Sequence, residues 1–267
     1  MTDDTSTGVW SESSGSPSDP VIVLAHGSMD RSAGMLRLSR RLSDRFLVIR
    51  YDRRGYGRSA GLGAPFTVDQ NVDDLERLLD ERTDGRGVRL AFGHSFGGNV
   101  VLALAARRPD LVQRVAVYES PLSWLDWWPG ETAGSAALAA AGAITASDAD
   151  AGETFMRRLV GDEKWERLPP STRAARRAEG PAMLGELGDL RARPPWDGSL
   201  IAQPVLAIAG ERARSHHRLA MEALPSMIAD VRVVDIEGAG HFGPNTHADA
   251  VSAAIVSFLA EAVPSDG

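Results

Sequence analysis

Six short apolar runs punctuate the chain, at residues 21–25, 46–51, 88–92, 115–118, 205–209 and 231–236. Each is bounded by turn-forming or charged residues, the pattern of β-strands. The first three and the last two read as buried on both faces, as central parallel strands are. Between the runs, apolar positions recur at helical spacing over 33–42, 68–79, 99–107, 217–224 and 247–262. Regular alternation of strand and helix predicts an α/β fold, a mostly parallel sheet with right-handed crossovers and helices on both faces.

The alternation breaks between Leu122 and Leu200. That stretch holds five of the six tryptophans, an Ala-rich run at 133–143, and proline pairs at 169–170 and 194–195. It has helical character and no strand signal. A helical cap over residues 122–198 is expected, inserted into a core made of 1–121 and 199–267. Residues 1–19 are rich in Ser, Asp and Gly and are expected to be mobile, with a short strand near Val9 and Trp10.

The chemistry begins at Gly93-His94-Ser95-Phe96-Gly97, which follows a predicted strand and precedes a predicted helix. Strand, Gly-x-Ser-x-Gly, helix is the context of a nucleophile elbow, which lifts its serine above the carboxyl ends of a sheet. The N–H of Phe96 then lies at a helix N-terminus, where negative charge is stabilised. Ser95 needs a general base. Of six histidines, His241 alone sits in a glycine-rich loop just past a strand, and it follows Ser95 as the order serine, acid, histidine requires. His26 is expected to shape its loop, and His94 to be buried and structural. His216 and His217 are expected on a solvated helix start, with the pocket rim as the alternative, and His247 at the start of the last helix. Ser28, with Met29 as the fallback, is the second candidate oxyanion donor beside Phe96.

The motifs Ala25-His26-Gly27, the run 51–59, Gly93 to Gly98, and Gly240-His241-Phe242 resemble, in order and spacing, those of the α/β-hydrolase superfamily. The resemblance covers all but the first 20 residues and is weakest across the cap. It implies a seven- or eight-stranded sheet and a Ser-His-acid triad, with Asp52 and Arg53 bracing loops. The commonest acid position falls on Ala213, which cannot orient an imidazole. The family's alternative position, at the end of the preceding strand, falls on Glu119. The run from Glu119 to Trp128 resembles that of haloalkane dehalogenases, but their Asp nucleophile is replaced by Ser95, which argues against halide displacement. Glu119 is therefore the expected acid. Glu211, Asp235, Glu237 or a dyad without an acid are the alternatives.

Trp124, Trp127 and Trp128 follow Glu119 directly and are candidates to line the substrate pocket, Trp124 foremost; packing the cap onto the core is the equal alternative. The arginines between 157 and 193 are interspersed with Glu153, Asp162, Glu163, Glu166, Glu179 and Glu186, which predicts a solvated, charge-balanced helical face; attraction of an anionic substrate, such as an acyl-CoA or a carboxylate, is the alternative. The formal charge of −7 gives no support to nucleic-acid binding. No apolar stretch approaches a membrane span. The absence of cysteine excludes disulfides and a thiol nucleophile, and with a polar, acidic N-terminus it predicts a cytoplasmic location. The expectation is a cofactor-free, metal-free serine hydrolase, monomer or homodimer, acting on a small to medium carboxylic ester. Thioester, lactone, amide or carbon–carbon cleavage, acyl transfer or perhydrolysis at the same triad, and a non-catalytic ligand-binding protein of the same fold, are the alternatives.

Overall fold

The computed structural model describes residues 8–141 and 148–261. Its strands are β1 (Ser11–Ser14), β2 (Val21–Ala25), β3 (Leu47–Tyr51), β4 (Leu90–His94), β5 (Val115–Tyr118), β6 (Val205–Gly210) and β7 (Val231–Ile236). They form one seven-stranded sheet in the order β1-β3-β2-β4-β5-β6-β7. Only β1 runs antiparallel, pairing Ser11 with Tyr51 through Ser14 with Val48. The polar sequence of β1 hid it from the apolar pattern. It lies inside the segment expected to be mobile, of which residues 1–7 fall outside the described residues.

The helices are α1 (Leu36–Leu42), α2 (Val68–Thr83), α3 (Phe96–Arg107), α4 (Ala133–Ala141), α5 (Asp148–Val160), α6 (Asp162–Glu166), α7 (Pro170–Ala178), α8 (Gly180–Ala192), α9 (Ser215–Ala223), α10 (Gly243–Thr246) and α11 (Ala248–Ala260). One face of the sheet packs on α2, α3 and α9 through Leu75, Val100, Leu104, Val117 and Met221. The other packs on α1 and α11 through Leu38, Phe92, Ile208, Ile255 and Phe258. Burying a Leu, Ile or Phe of this kind stabilises by about 1.5–3 kcal/mol before chain entropy is counted. The sequence α3 reads as apolar nearly all round, and ten of its residues are buried. β7 departs from expectation. It is an edge strand with Val233 38% exposed, and no described strand pairs with its outer side.

Between β5 and β6 the described chain carries α4 to α8 and no strand. These helices have an apolar centre of their own, with Trp165, Phe155 and Met183, into which Met29 and Tyr56 of the sheet layer insert. A buried ion pair between Arg53 and Glu186 ties the two layers together. Glu186 also accepts from Tyr56 Oη at 2.8 Å and from Ser28 Oγ at 2.6 Å. Arg53 Nε donates to His26 O at 2.8 Å and Nη1 to Asn71 Oδ1 at 3.1 Å. Charges buried this deeply persist only when their hydrogen-bonding capacity is filled, as here.

Candidate active site

β4 ends at His94, and the next residue turns sharply: Ser95 has φ 52° and ψ −124°. A side chain on Gly93 would overlap the Gly97 carbonyl, and one on Gly97 the Ala25 carbonyl, so both elbow glycines are required by space. Four non-glycine residues have positive φ: Met29, Asp84, Ser95 and Glu119. Three of them converge here, a concentration of backbone strain typical of functional sites. The Ser95 N–H donates to Tyr118 O at 2.8 Å, which sets the β4 turn beside the tip of β5.

Glu119 stands on that tip, fully buried. Its Oε2 lies 2.7 Å from His241 Nδ1, and its Oε1 accepts the Gly210 N–H at 2.9 Å. The bond to Glu119 places the Nδ1 proton and leaves Nε2 as the open ring nitrogen. The loop carrying His241 is pinned at two successive carbonyls. Tyr118 Oη donates to Gly240 O and His94 Nε2 donates to His241 O, both at 2.7 Å. Burial, then the neighbouring His241, pulls the His94 pKa down to about 3. His94 is thus a neutral imidazole with its proton fixed on Nε2.

The other carboxylates have different work. Glu211 is exposed and its Oε2 accepts the Gly238 N–H at 2.8 Å, bracing the His241 loop from outside. Asp235 pairs with Arg218 at 3.1 Å, and Glu237 is exposed. His26 is buried, its Nδ1 donating to Gly27 O at 2.8 Å while Nε2 accepts the Arg53 N–H at 2.9 Å. Asp52 accepts the N–H groups of Ser32 and Arg58, at 2.7 and 2.9 Å.

His216 and His217 differ from expectation. Both line the cavity above Ser95, because the start of α9 turns inward. His217 stacks on His241, and Trp128 packs edge-on against both α9 histidines. Burial, then His241, pushes the His217 pKa well below its ordinary value. Nothing in the sequence distinguished this pair except adjacency to the strand ending at Gly210.

The N–H groups of Ser28 and Phe96 have no acceptor among the described residues. Ser28 is held by its hydroxyl on Glu186, so the α8 carboxylate positions this loop. The Ser95 hydroxyl likewise has no hydrogen-bond partner among the described residues and opens into two lobes. The larger is a cavity of about 280 Å³, with Phe96, Phe155, Leu187 and Leu190 among its apolar walls. The smaller, of about 200 Å³, runs past Met29 and Asp30, whose carboxyl is raised in pKa by burial.

Of the three tryptophans expected at the pocket, only Trp128 lines it. Trp124 turns away and packs edge-on against Trp196 with ring centroids 5.5 Å apart. Trp127 is 43% exposed and leans on Trp128. The reason is that the chain after Leu122 crosses the core edge, where two indoles bury more apolar surface against each other than in an open cavity.

Glu119, His217 and His241 bring one donor atom each within 4.8 Å of one another and are the described residues that could hold a metal ion. A cation there would have to displace the Nδ1–carboxylate hydrogen bond. No helix among the described residues is long and apolar enough to cross a membrane.

The profile of the alpha/beta hydrolase family matches residues 22–254. The chain is 28% identical over 257 residues to 2-(acetamidomethylene)succinate hydrolase of Mesorhizobium japonicum, an alignment spanning 91% of this chain and 88% of that protein. Among solved structures it resembles a hydrolase from Pseudomonas aeruginosa, 25% identical with a TM-score of 0.73, covering 96% of this chain and 97% of that one. An alpha/beta hydrolase from Sphaerobacter thermophilus is 28% identical with a TM-score of 0.67, covering 97% and 99%. With the strained serine, the paired carboxylate and imidazole, and this match across nearly the whole sheet, the chain belongs to the alpha/beta hydrolase family.

Proposed function

We propose that the protein is a serine hydrolase that cleaves a small to medium carboxylic ester through an acyl-enzyme on Ser95, beneath a cap formed by α4 to α8. The observation that carries this reading is the Glu119–His241 hydrogen bond at 2.7 Å, in a loop whose imidazole lines the same cavity as the strained Ser95.

In this mechanism His241 Nε2 takes the Ser95 proton as Oγ attacks the ester carbonyl. Apo serine–histidine contacts are often open and close in the substrate complex. The N–H groups of Phe96 and Ser28 hold the oxyanion of the tetrahedral intermediate. Glu119 keeps the imidazole in the required tautomer and stabilises its cation. The intermediate collapses, the carbon–oxygen bond breaks, and His241 returns the proton to the departing alcohol. Water then attacks the acyl-enzyme, giving its proton to His241, and the acid leaves as Ser95 is reprotonated.

The similarity to an enzyme named for hydrolysing 2-(acetamidomethylene)succinate favours a second reading, amide cleavage by the same residues. A fluorophosphonate probe tests the nucleophile, and a graded series of p-nitrophenyl esters, with an amide and a lactone beside them, tests the bond. Labelling that disappears in Ser95→Ala, together with ester turnover, is expected. Folded protein that neither labels nor turns over any member of the series favours a ligand-binding role instead.

A further inference from the structure

The arginines of the helical segment fall into two sets. Arg157, Arg167, Arg173, Arg176, Arg177 and Arg193 each meet a carboxylate, as a solvated charge-balanced face should. Arg191 does not. It sits in the last turn of α8, half-buried in the wall of the larger cavity. Its Nη2 donates to Ser135 Oγ at 2.8 Å and to Thr132 Oγ1 at 3.4 Å. Those hydroxyls aim the guanidinium without neutralising it. Burial alone draws its pKa down, with no counter-charge opposing.

The rest of the cavity has the same bias. Arg158, Arg212 and Arg214 also line it, and none has a carboxylate partner among the described residues. Among the described residues no Asp or Glu lines it. This occurs in a chain with 36 acidic and 29 basic residues, where carboxylates are in excess. A half-buried guanidinium with unfilled donors, in the wall of a lobe that also holds Ser95 and in which no carboxylate stands among the described residues, is a ready fork for one carboxylate.

We propose that Arg191 binds a carboxylate carried by the substrate, so that the substrate class is a carboxylate-bearing ester: a short apolar chain with the scissile ester near Ser95 and a carboxylate at its far end. The reaction named here rests on the ester-cleaving role of Ser95, whereas the anion site does not. The small volume of the lobe limits the spacer to a few carbons. With the carboxylate on the acyl side the product acid is a dicarboxylate; with it on the alcohol side the product alcohol is a hydroxy acid.

Two matched pairs of esters test it. Methyl hydrogen glutarate against methyl hexanoate places the carboxylate on the acyl side. Acetoxybutyrate against pentyl acetate places it on the alcohol side. The carboxylate member of at least one pair is expected to show kcat/KM higher by about tenfold or more, a ratio that falls to near one in Arg191→Gln and is partly kept in Arg191→Lys. Glutarate binding to Ser95→Ala, followed by calorimetry, is expected to weaken by a similar factor when Arg191→Gln is added. Neutral preference in both pairs overturns the proposal. So does a ratio that survives Arg191→Gln, or one that Arg158→Gln and raised salt abolish equally, since that is remote steering. If no ester is cleaved but glutarate binding depends on Arg191, the ester reading fails and the anion site stands. If esters are cleaved without charge preference and glutarate does not bind, the reverse holds.

Discussion

His217 lies face to face with His241, ring centroids 4.5 Å apart and planes inclined by 21°. Its buried Nδ1 has no hydrogen-bond partner among the described residues, and burial pushes its pKa well below the ordinary imidazole value. A flat neutral ring here shields the proposed base from water and limits its rotation. Replacing His217 with Ala is expected to lower kcat by roughly tenfold with a smaller change in KM, and His217→Phe to restore most of it. Steady-state kinetics on both variants read this directly. A raised KM at constant kcat would instead make His217 a substrate contact.

Glu119→Gln keeps the shape of the acid and can still accept the Gly210 N–H. Its amide then faces His241 Nδ1 with a donor, which drives the imidazole proton to Nε2, the atom that must accept from Ser95. Ester turnover is expected to fall by roughly 10²- to 10⁴-fold, with a circular dichroism spectrum and melting temperature close to wild type. Glu211→Gln is the contrast. Its amide oxygen can still accept from Gly238, so activity near wild type is expected, and a loss as deep as that of Glu119→Gln would reassign the acid.

Acid should unfold this protein through its histidines. His26, His94 and His217 all have pKa values depressed by burial, His94 to about 3. The folded state therefore binds fewer protons than the unfolded state below the ordinary value of about 6.5. Their contribution to stability is complete above that value and drains away as pH falls from about 6.5 towards about 3. Unfolding near pH 5.5, measured by calorimetry in buffers of different ionisation enthalpy, should take up protons. His94→Gln, whose amide can still donate to His241 O, should take up fewer.

The Arg53–Glu186 pair crosses from the sheet layer to α8 with both side chains fully buried. Removing one partner strands the other charge, so Arg53→Met or Glu186→Leu should each destabilise by about 3–5 kcal/mol in urea melts. The double variant should recover part of this, because two apolar side chains leave no buried charge. Glu186 also holds Ser28 by its hydroxyl, so the surviving folded single variant should lose ester turnover beyond its loss of stability.

Much of the architecture was legible locally. Apolar runs of four to six residues placed six of the seven strands. The glycines of the elbow announced Ser95, because the turn admits no side chain there. The glycine loop after β7 announced His241. Glu119, the residue that meets His241, became legible only through a gap, Ala213 where a carboxylate was expected, and through the resemblance that pointed to it.

What the sequence by itself determined were features that neighbours in the chain decide: strand, elbow, crossover and the order of Ser95 and His241. The tertiary structure alone decided which Trp reached the cavity, Trp128 and not Trp124. It decided that His217 would stack on His241, and that Arg191, alone among the half-buried arginines between 157 and 193, would face Ser95's cavity without a carboxylate among the described residues. Each depends on how helices far apart in sequence dock over the sheet. Charge pairing and burial are settled by whichever group arrives within a few ångströms, and spacing along the chain does not encode that.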